Sequence, residues 1–178
     1  MFLTHFNQII DYDLDLFVRI SDMLDAEVER NYQEASTCPD PDAFGIFDRM
    51  EHITGLGFVA CQTYLASTYG FLNIEKDFAL TLAPYTAQNI PVVTIVNHAA
   101  NLWKHQDEWA LRKSTRDRDR ILHAFAALGY TELGDYPLSN CLAKICAPSD
   151  PKFRNLVPFL RQWRDTLRMT KPRRPSSH

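Results

Sequence analysis

The sequence holds no run approaching the ~18 apolar residues that a bilayer span requires. Its start, Met1-Phe2-Leu3-Thr4-His5, has no basic segment before an apolar stretch and turns acidic at Asp11, Asp13 and Asp15. The expectation is a chain with neither a membrane segment nor a secretory leader. Cys38, Cys61, Cys141 and Cys146 include no Cys-x-x-Cys pair, which leaves zinc-ribbon and thioredoxin-type readings without a basis. They read as free thiols of a reducing cytoplasm, with Cys61 and Cys141 in the core. Also missing are a glycine-rich phosphate loop and the Gly-x-Ser-x-Gly elbow of α/β hydrolases. A strong charge of one sign is absent as well: the net charge is −3 and the pI about 6.0, so no global basicity points to nucleic acid.

The 178 residues, 46% hydrophobic and 23% charged, suit one globular domain with its own core. The charge is unevenly placed. Residues 1–51 carry 3 basic and 12 acidic side chains, 52–149 carry 8 of each, and 150–178 carry 8 basic and 2 acidic. Terminal helices that attract each other would use this asymmetry; so would a basic edge meeting a polyanion.

Period-two alternation is missing, and apolar positions recur at helical steps. Ile10, Leu14, Phe17, Ile20, Leu24 and Val28 form one stripe, predicting a helix over 8–35. Thr37-Cys38-Pro39-Asp40-Pro41-Asp42 breaks it. Asp40 is the expected N-cap and Pro41 the first residue of a second helix reaching Tyr69, with Gly70 past its end. Residues 53–66 are apolar nearly all round, as in a helix at the centre of a bundle. Gly55 and Gly57 should let a neighbouring helix come close. After a short helical piece and a loop over 71–90, Pro91 opens a third helix to about Lys113. Ser114 or Thr115 caps a fourth, from Arg116 to Leu128, which Gly129 ends. A short helix over 140–147 and a last one over 152–170, broken near Pro158, complete an all-α fold: a compact bundle of five to six helices, single domain over 1–170. Residues 171–178, Lys-Pro-Arg-Arg-Pro-Ser-Ser-His, form a basic tail without apolar anchors, expected to be disordered.

The third helix carries the main functional signal. Placed at 100° per residue, Val92, Ile95, Val96, Ala99, Leu102, Trp103, Trp109 and Ala110 make a core arc. Thr94, Asn97, His98, Asn101, Lys104, His105, Glu108 and Arg112 make the opposite one. Asn and His are mediocre helix formers, so two of each on one face indicates that their chemistry is wanted: His for proton transfer or ligation, Asn as donor and acceptor together. The same face also reads as ordinary polar contacts to a neighbouring helix, with Glu51 and His52 as partners, or as a dimer seam. His98 and His105 lie two turns apart, about 10 Å along the axis, too far to share one zinc. His105 with Glu108 and His52 is a possible grouping, but the helix has neither Glu-x-x-His nor His-x-x-x-His. No metal and no cofactor are therefore expected.

A bundle of this size with Asn and His chemistry on an inner helix resembles the HEPN-type helical domains. Their mark is Arg, four to six residues, then His, with Asn, Asp or His commonly after the Arg. Arg118-Asp119-Arg120-Ile121-Leu122-His123 has that form, and Arg116 to His123 fits the longer spacing. The resemblance covers about the central 120 residues; Asn101…Lys104-His105 is similar to the family's helix in texture but lacks the arginine. It implies a dimeric RNA-directed module of toxin or defence type, with metal-independent cleavage: a His moves the 2′-hydroxyl or leaving-group proton, and an Arg stabilises the phosphate charge. On that basis His98, Asn101, His105, Arg118 and His123 are the catalytic candidates, and Lys104, Glu108, Arg112 and His52 the binding ones. The alternating charges of residues 116–120 equally suit a solvated first turn. Two other readings compete: a non-catalytic helical homodimer that binds a protein or small ligand, and a metal-dependent bundle enzyme built on His52 and His105. RNA is the expected polyanion, a membrane is not an expected partner, and the abundant aromatics favour self-association.

Overall fold

The structure, a computed structural model, describes residues 2–5, 8–110, 116–129 and 134–170. Strands β1 (Phe2–His5) and β2 (Gln8–Asp11) form an antiparallel hairpin with Phe2 opposite Asp11. The helices are α1 (Tyr12–Thr37), α2 (Ile46–Leu72), α3 (Lys76–Leu80), α4 (Val92–Ala110), α5 (Arg116–Ala127), α6 (Pro137–Cys146) and α7 (Val157–Thr170). A 3-10 turn over Phe153–Leu156 leads into α7. The all-helical expectation holds apart from the hairpin, and among the described residues no helix is long and apolar enough to cross a membrane.

The hairpin corrects the expected start of the first helix at residue 8. Asp11 is the reason for the later start: its Oδ1 accepts from the Leu14 backbone N–H at 3.0 Å, capping α1. The second boundary moves too. Asp40 does cap, accepting from Ala43 N–H at 3.1 Å, but only a turn, because Gly45 adopts φ 65° and the helix begins at Ile46. At its other end α2 runs through Gly70 to Leu72, where Asn73 at φ 53° stops it. Gly129 at φ 97° follows α5 as expected. The short helix forms over Pro137–Cys146 rather than 140–147, with Pro at its first turn, where a missing N–H costs nothing. Pro158 likewise sits in the first turn of α7, and the break falls just before it. Lys113, Ser114, Thr115 and the tail 171–178 lie outside the described residues.

Helix α2 is central, packing against α1, α3, α4, α6 and α7. Around it Phe58, Leu65, Ile95, Phe125, Phe153, Leu160 and Trp163 are fully buried, as are Cys61 and Cys141. Gly55 and Gly57 seat rings rather than a helix backbone. A Cβ on Gly55 would lie 2.0 Å from Trp103 Cδ1 of α4, and one on Gly57 would lie 2.3 Å from the Phe153 ring.

The acidic start and basic end of the chain meet. Arg164 of α7 donates to Asp11 Oδ2 at 2.7 Å, and Arg154 pairs with Asp22 of α1 at 3.1 Å. The Asp25 carboxylate accepts from the backbone N–H of Phe153 and Arg154 at 2.8 and 2.9 Å, capping the 3-10 turn. Outside the core, Tyr12, Leu16 and Met23 are 55%, 49% and 73% exposed on one face of α1.

Replacing Gly57 by Ala should destabilise the fold by roughly 1–3 kcal/mol or more, because the added methyl meets a fully buried ring that cannot move aside. A urea titration that leaves the midpoint of Gly57→Ala unchanged would contradict this packing.

Candidate functional site

The polar arc of α4 divides between two neighbours. One edge faces α5. There Thr94 and His98 of α4 join Arg116, Asp119, Arg120 and His123 of α5 around a cleft of about 610 Å³, floored by the alkyl groups of Ile90, Ala124 and Ala127. Two histidines and two arginines thus line one open concavity, whose surface is mostly carbon. Helical phase explains which α5 residues reach it. Arg116 and His123 are seven apart and nearly eclipsed, and Arg120 lies between them on the same side; Arg118 is rotated away by more than a quarter turn.

His98 is half-buried, and its Nδ1 is buried with no hydrogen-bond partner among the described residues. Burial pushes the imidazole below its ordinary value, helped by the nearby charges of Lys76 and Arg120. Its ring is therefore neutral near pH 7 and able to accept a proton. Trp103 Nε1, packed over Gly55, is the other buried side-chain polar atom without a partner among the described residues. His123 is exposed on α5 across the cleft.

The other edge of the arc faces α2. Gln62 Nε2 donates to Asn97 Oδ1 and Asn101 Oδ1, both at 2.9 Å, and Gln62 Oε1 accepts from Lys104 Nζ at 2.7 Å. Asn101 and Lys104 are thereby joined to each other through Gln62 and separated from His98. Nothing in the sequence singles out Gln62, because a single Gln amid an apolar helix carries no pattern. Its partners fix its amide, donor toward the two Asn oxygens and acceptor toward the ammonium.

The remaining candidates disperse. His105 pairs along its own helix with Glu108 at 3.5 Å. His52 is exposed, its ring edge-on to Trp103 with centroids 6.4 Å apart. Among the described residues no three His, Cys, Asp or Glu side chains gather as a metal site would need, so His52, His105 and Glu108 do not assemble. Glu51, the other suggested partner from α2, caps α6 instead: it accepts from the backbone N–H of Leu138 and Ser139 at 2.6 and 2.9 Å and from Ser139 Oγ at 2.6 Å. Arg112 lies outside the described residues, as do the side chains of Trp109 and Ala110.

The depressed proton affinity of His98 sets a sign for the pH dependence of stability. Below pH 6.5 the unfolded chain binds a proton there that the folded chain resists, so stability falls as pH drops through 6.5 and levels off below the folded value. His98→Gln removes this contribution. The stability of the wild type minus that of the variant, from urea titrations, should shrink between pH 7.5 and 5.5; a difference constant with pH would remove the assignment. Comparison with known proteins finds no matching family model, no matching curated protein and no matching solved structure, so the cleft is read from its own geometry.

Proposed function

We propose that the α4–α5 cleft binds an RNA phosphodiester and cleaves it without metal, in the manner of a HEPN-type domain. The observation that carries this reading is the convergence of His98, His123, Arg116 and Arg120 from two helices on one cleft. His98, neutral near pH 7, takes the proton of the 2′-hydroxyl as its oxygen attacks phosphorus. His123 gives a proton to the 5′-oxygen as the P–O5′ bond breaks, leaving a 2′,3′-cyclic phosphate and a free 5′-hydroxyl. Arg116 and Arg120 bind the non-bridging oxygens on which charge builds. The Arg-then-His pair of this reading is Arg116 with His123, the longer of the two spacings, and both histidines come from one chain. Asn101 and Lys104, joined through Gln62, act in binding.

The test is cleavage of a labelled single-stranded RNA in EDTA. His98→Gln and His123→Ala should each lower the rate by about 10²-fold or more, and Arg120→Ala by a comparable factor. A single 2′-deoxy substitution at the cleaved position should block the reaction. The acid limb of the pH profile should fall below pH 6.5, following His98. Cleavage by the wild type that persists undiminished in the His98→Gln and His123→Ala proteins would refute the assignment.

A second reading, a helical homodimer that binds without catalysis, draws on the exposed Tyr12, Leu16 and Met23, which share one face of α1. An apolar stripe of this kind is a common seam between identical helices. Sedimentation equilibrium should then show a dimer at micromolar concentration that Met23→Glu dissociates. A wild type that stays monomeric at high micromolar concentration would exclude it.

A further inference from the structure

Resting on the RNA reading above, we infer that Tyr85, on the loop at the rim of the cleft, is the platform on which a nucleobase of the bound strand stacks, with the phosphate beside it held at the α5 arginines.

The cleft divides by chemistry. Arg116 and Arg120 reach it from the first two turns of α5, while Ile90, Ala124 and Ala127 give it a carbon floor. Carbon and cation side by side suit a ligand with the same division. A nucleotide has it: the base is a flat ring with an apolar face, and the phosphate is an anion. Ile90 also belongs to the loop over residues 81–91, which has no charged side chain. The rim on this side therefore offers no charge to a phosphate, and its aromatic residue is Tyr85.

Tyr85 is tied to the cleft at both ends. Its backbone bridges to Pro91, the neighbour of the floor residue Ile90. Its hydroxyl donates to the Thr81 carbonyl at 3.2 Å. The preceding carbonyl, that of Leu80, accepts from Thr94 Oγ1 at 2.5 Å, and Thr94 lines the cleft. The ring thus runs between two points that each adjoin the cleft wall. The loop is closed on itself as well. Thr86 N–H donates to the Ile90 carbonyl at 2.8 Å, Ile90 N–H to Thr86 Oγ1 at 3.2 Å, and Val92 N–H to the Pro84 carbonyl at 2.9 Å. Even so, Tyr85 is 48% exposed, and among the described residues no other ring packs on it. An aromatic side chain held at its backbone and at its hydroxyl has little rotamer freedom left to lose, so stacking a base on it costs little ordering entropy.

The experiment measures binding of an uncleavable 2′-O-methyl hexanucleotide, intact and with one base removed at a time. Removing one particular base should weaken wild-type binding by about 5- to 150-fold, the range for a base stacked on an aromatic ring. Tyr85→Ala should weaken binding of the intact strand by a similar factor, and removing the same base should then have no further effect. Tyr85→Phe should keep most of the affinity. Phe44→Ala, at an exposed aromatic on the turn before α2, should leave binding unchanged. Losses from the variant and from the missing base that add instead of coinciding overturn the platform. Should Tyr85→Ala fail to fold by circular dichroism, the wild type decides alone: 5-iodouracil at that position should crosslink to Tyr85 on irradiation, read by mass spectrometry, and a crosslink at any other residue overturns the assignment. A Tyr85→Ala protein that binds as tightly as the wild type, while the Arg116→Ala, Arg120→Ala double variant binds more weakly, overturns the platform and leaves the cleft standing. Binding unchanged in all of these variants, or a wild type that binds no RNA, removes the cleft reading together with the platform.

Discussion

One buried carboxylate ties the hairpin, α1, α2 and α7 to a single point. Asp11 ends the hairpin, caps α1 through Leu14, accepts from Tyr64 Oη of α2 at 2.9 Å and from Arg164 of α7 at 2.7 Å. Both partners of the ion pair are at most 5% exposed. A buried pair of this kind contributes little net stability over an apolar equivalent, yet removing one partner strands the other and costs about 3–5 kcal/mol. Breaking the pair is therefore costly even though forming it gains little. Arg164 is pulled down by burial, but its bonds to Asp11 and Asp165 outweigh that and keep it firmly charged. Helix α4 packs on α2 as well, and its polar arc is shared between Gln62 of α2 and the cleft beside α5.

That arc was legible in the sequence, and so was the helical architecture. Residues 53–66 read as a central helix because they are apolar all round, and Val92, Ile95, Val96, Ala99 and Leu102 are all buried as the period requires. The end of α5 was legible from Gly129, because φ 97° is a conformation that glycine alone adopts freely. The hairpin was not, since four-residue strands are too short to show a period and Ile10 fell by chance on the helical stripe. The Asp11–Arg164 pair was not legible either: its partners are 153 positions apart, and nothing local in either marks the other. Gly55 and Gly57 signalled close approach correctly, but the approaching groups are rings, whose identity depends on packing outside the helix.

The candidate site was legible in half. The sequence showed which α4 residues share a face, but their partners depend on α2 and α5 lying on either side of it. The arc is thus two half-surfaces: His98 belongs with α5, and Asn97, Asn101 and Lys104 with Gln62. The arginines beside His123 were likewise visible as a cluster. Helical phase then favours Arg116 and Arg120 over Arg118, a distinction that becomes meaningful only once it is known which side of α5 faces α4.

The carboxylate of Glu51 has a consequence for the order in which this chain acquires structure. Helix α6 has ten residues, begins after Tyr136 in a left-handed conformation and has no side-chain cap of its own. A helix that short is marginal in isolation. Its cap is Glu51, 87 positions earlier on α2. The first N–H groups of α6 are therefore satisfied by a side chain of α2 and not by the helix's own sequence. The same holds at the 3-10 turn, whose first N–H groups are met by Asp25 of α1. Both short elements therefore take their caps from the N-terminal third, the part of the chain that the ribosome makes first.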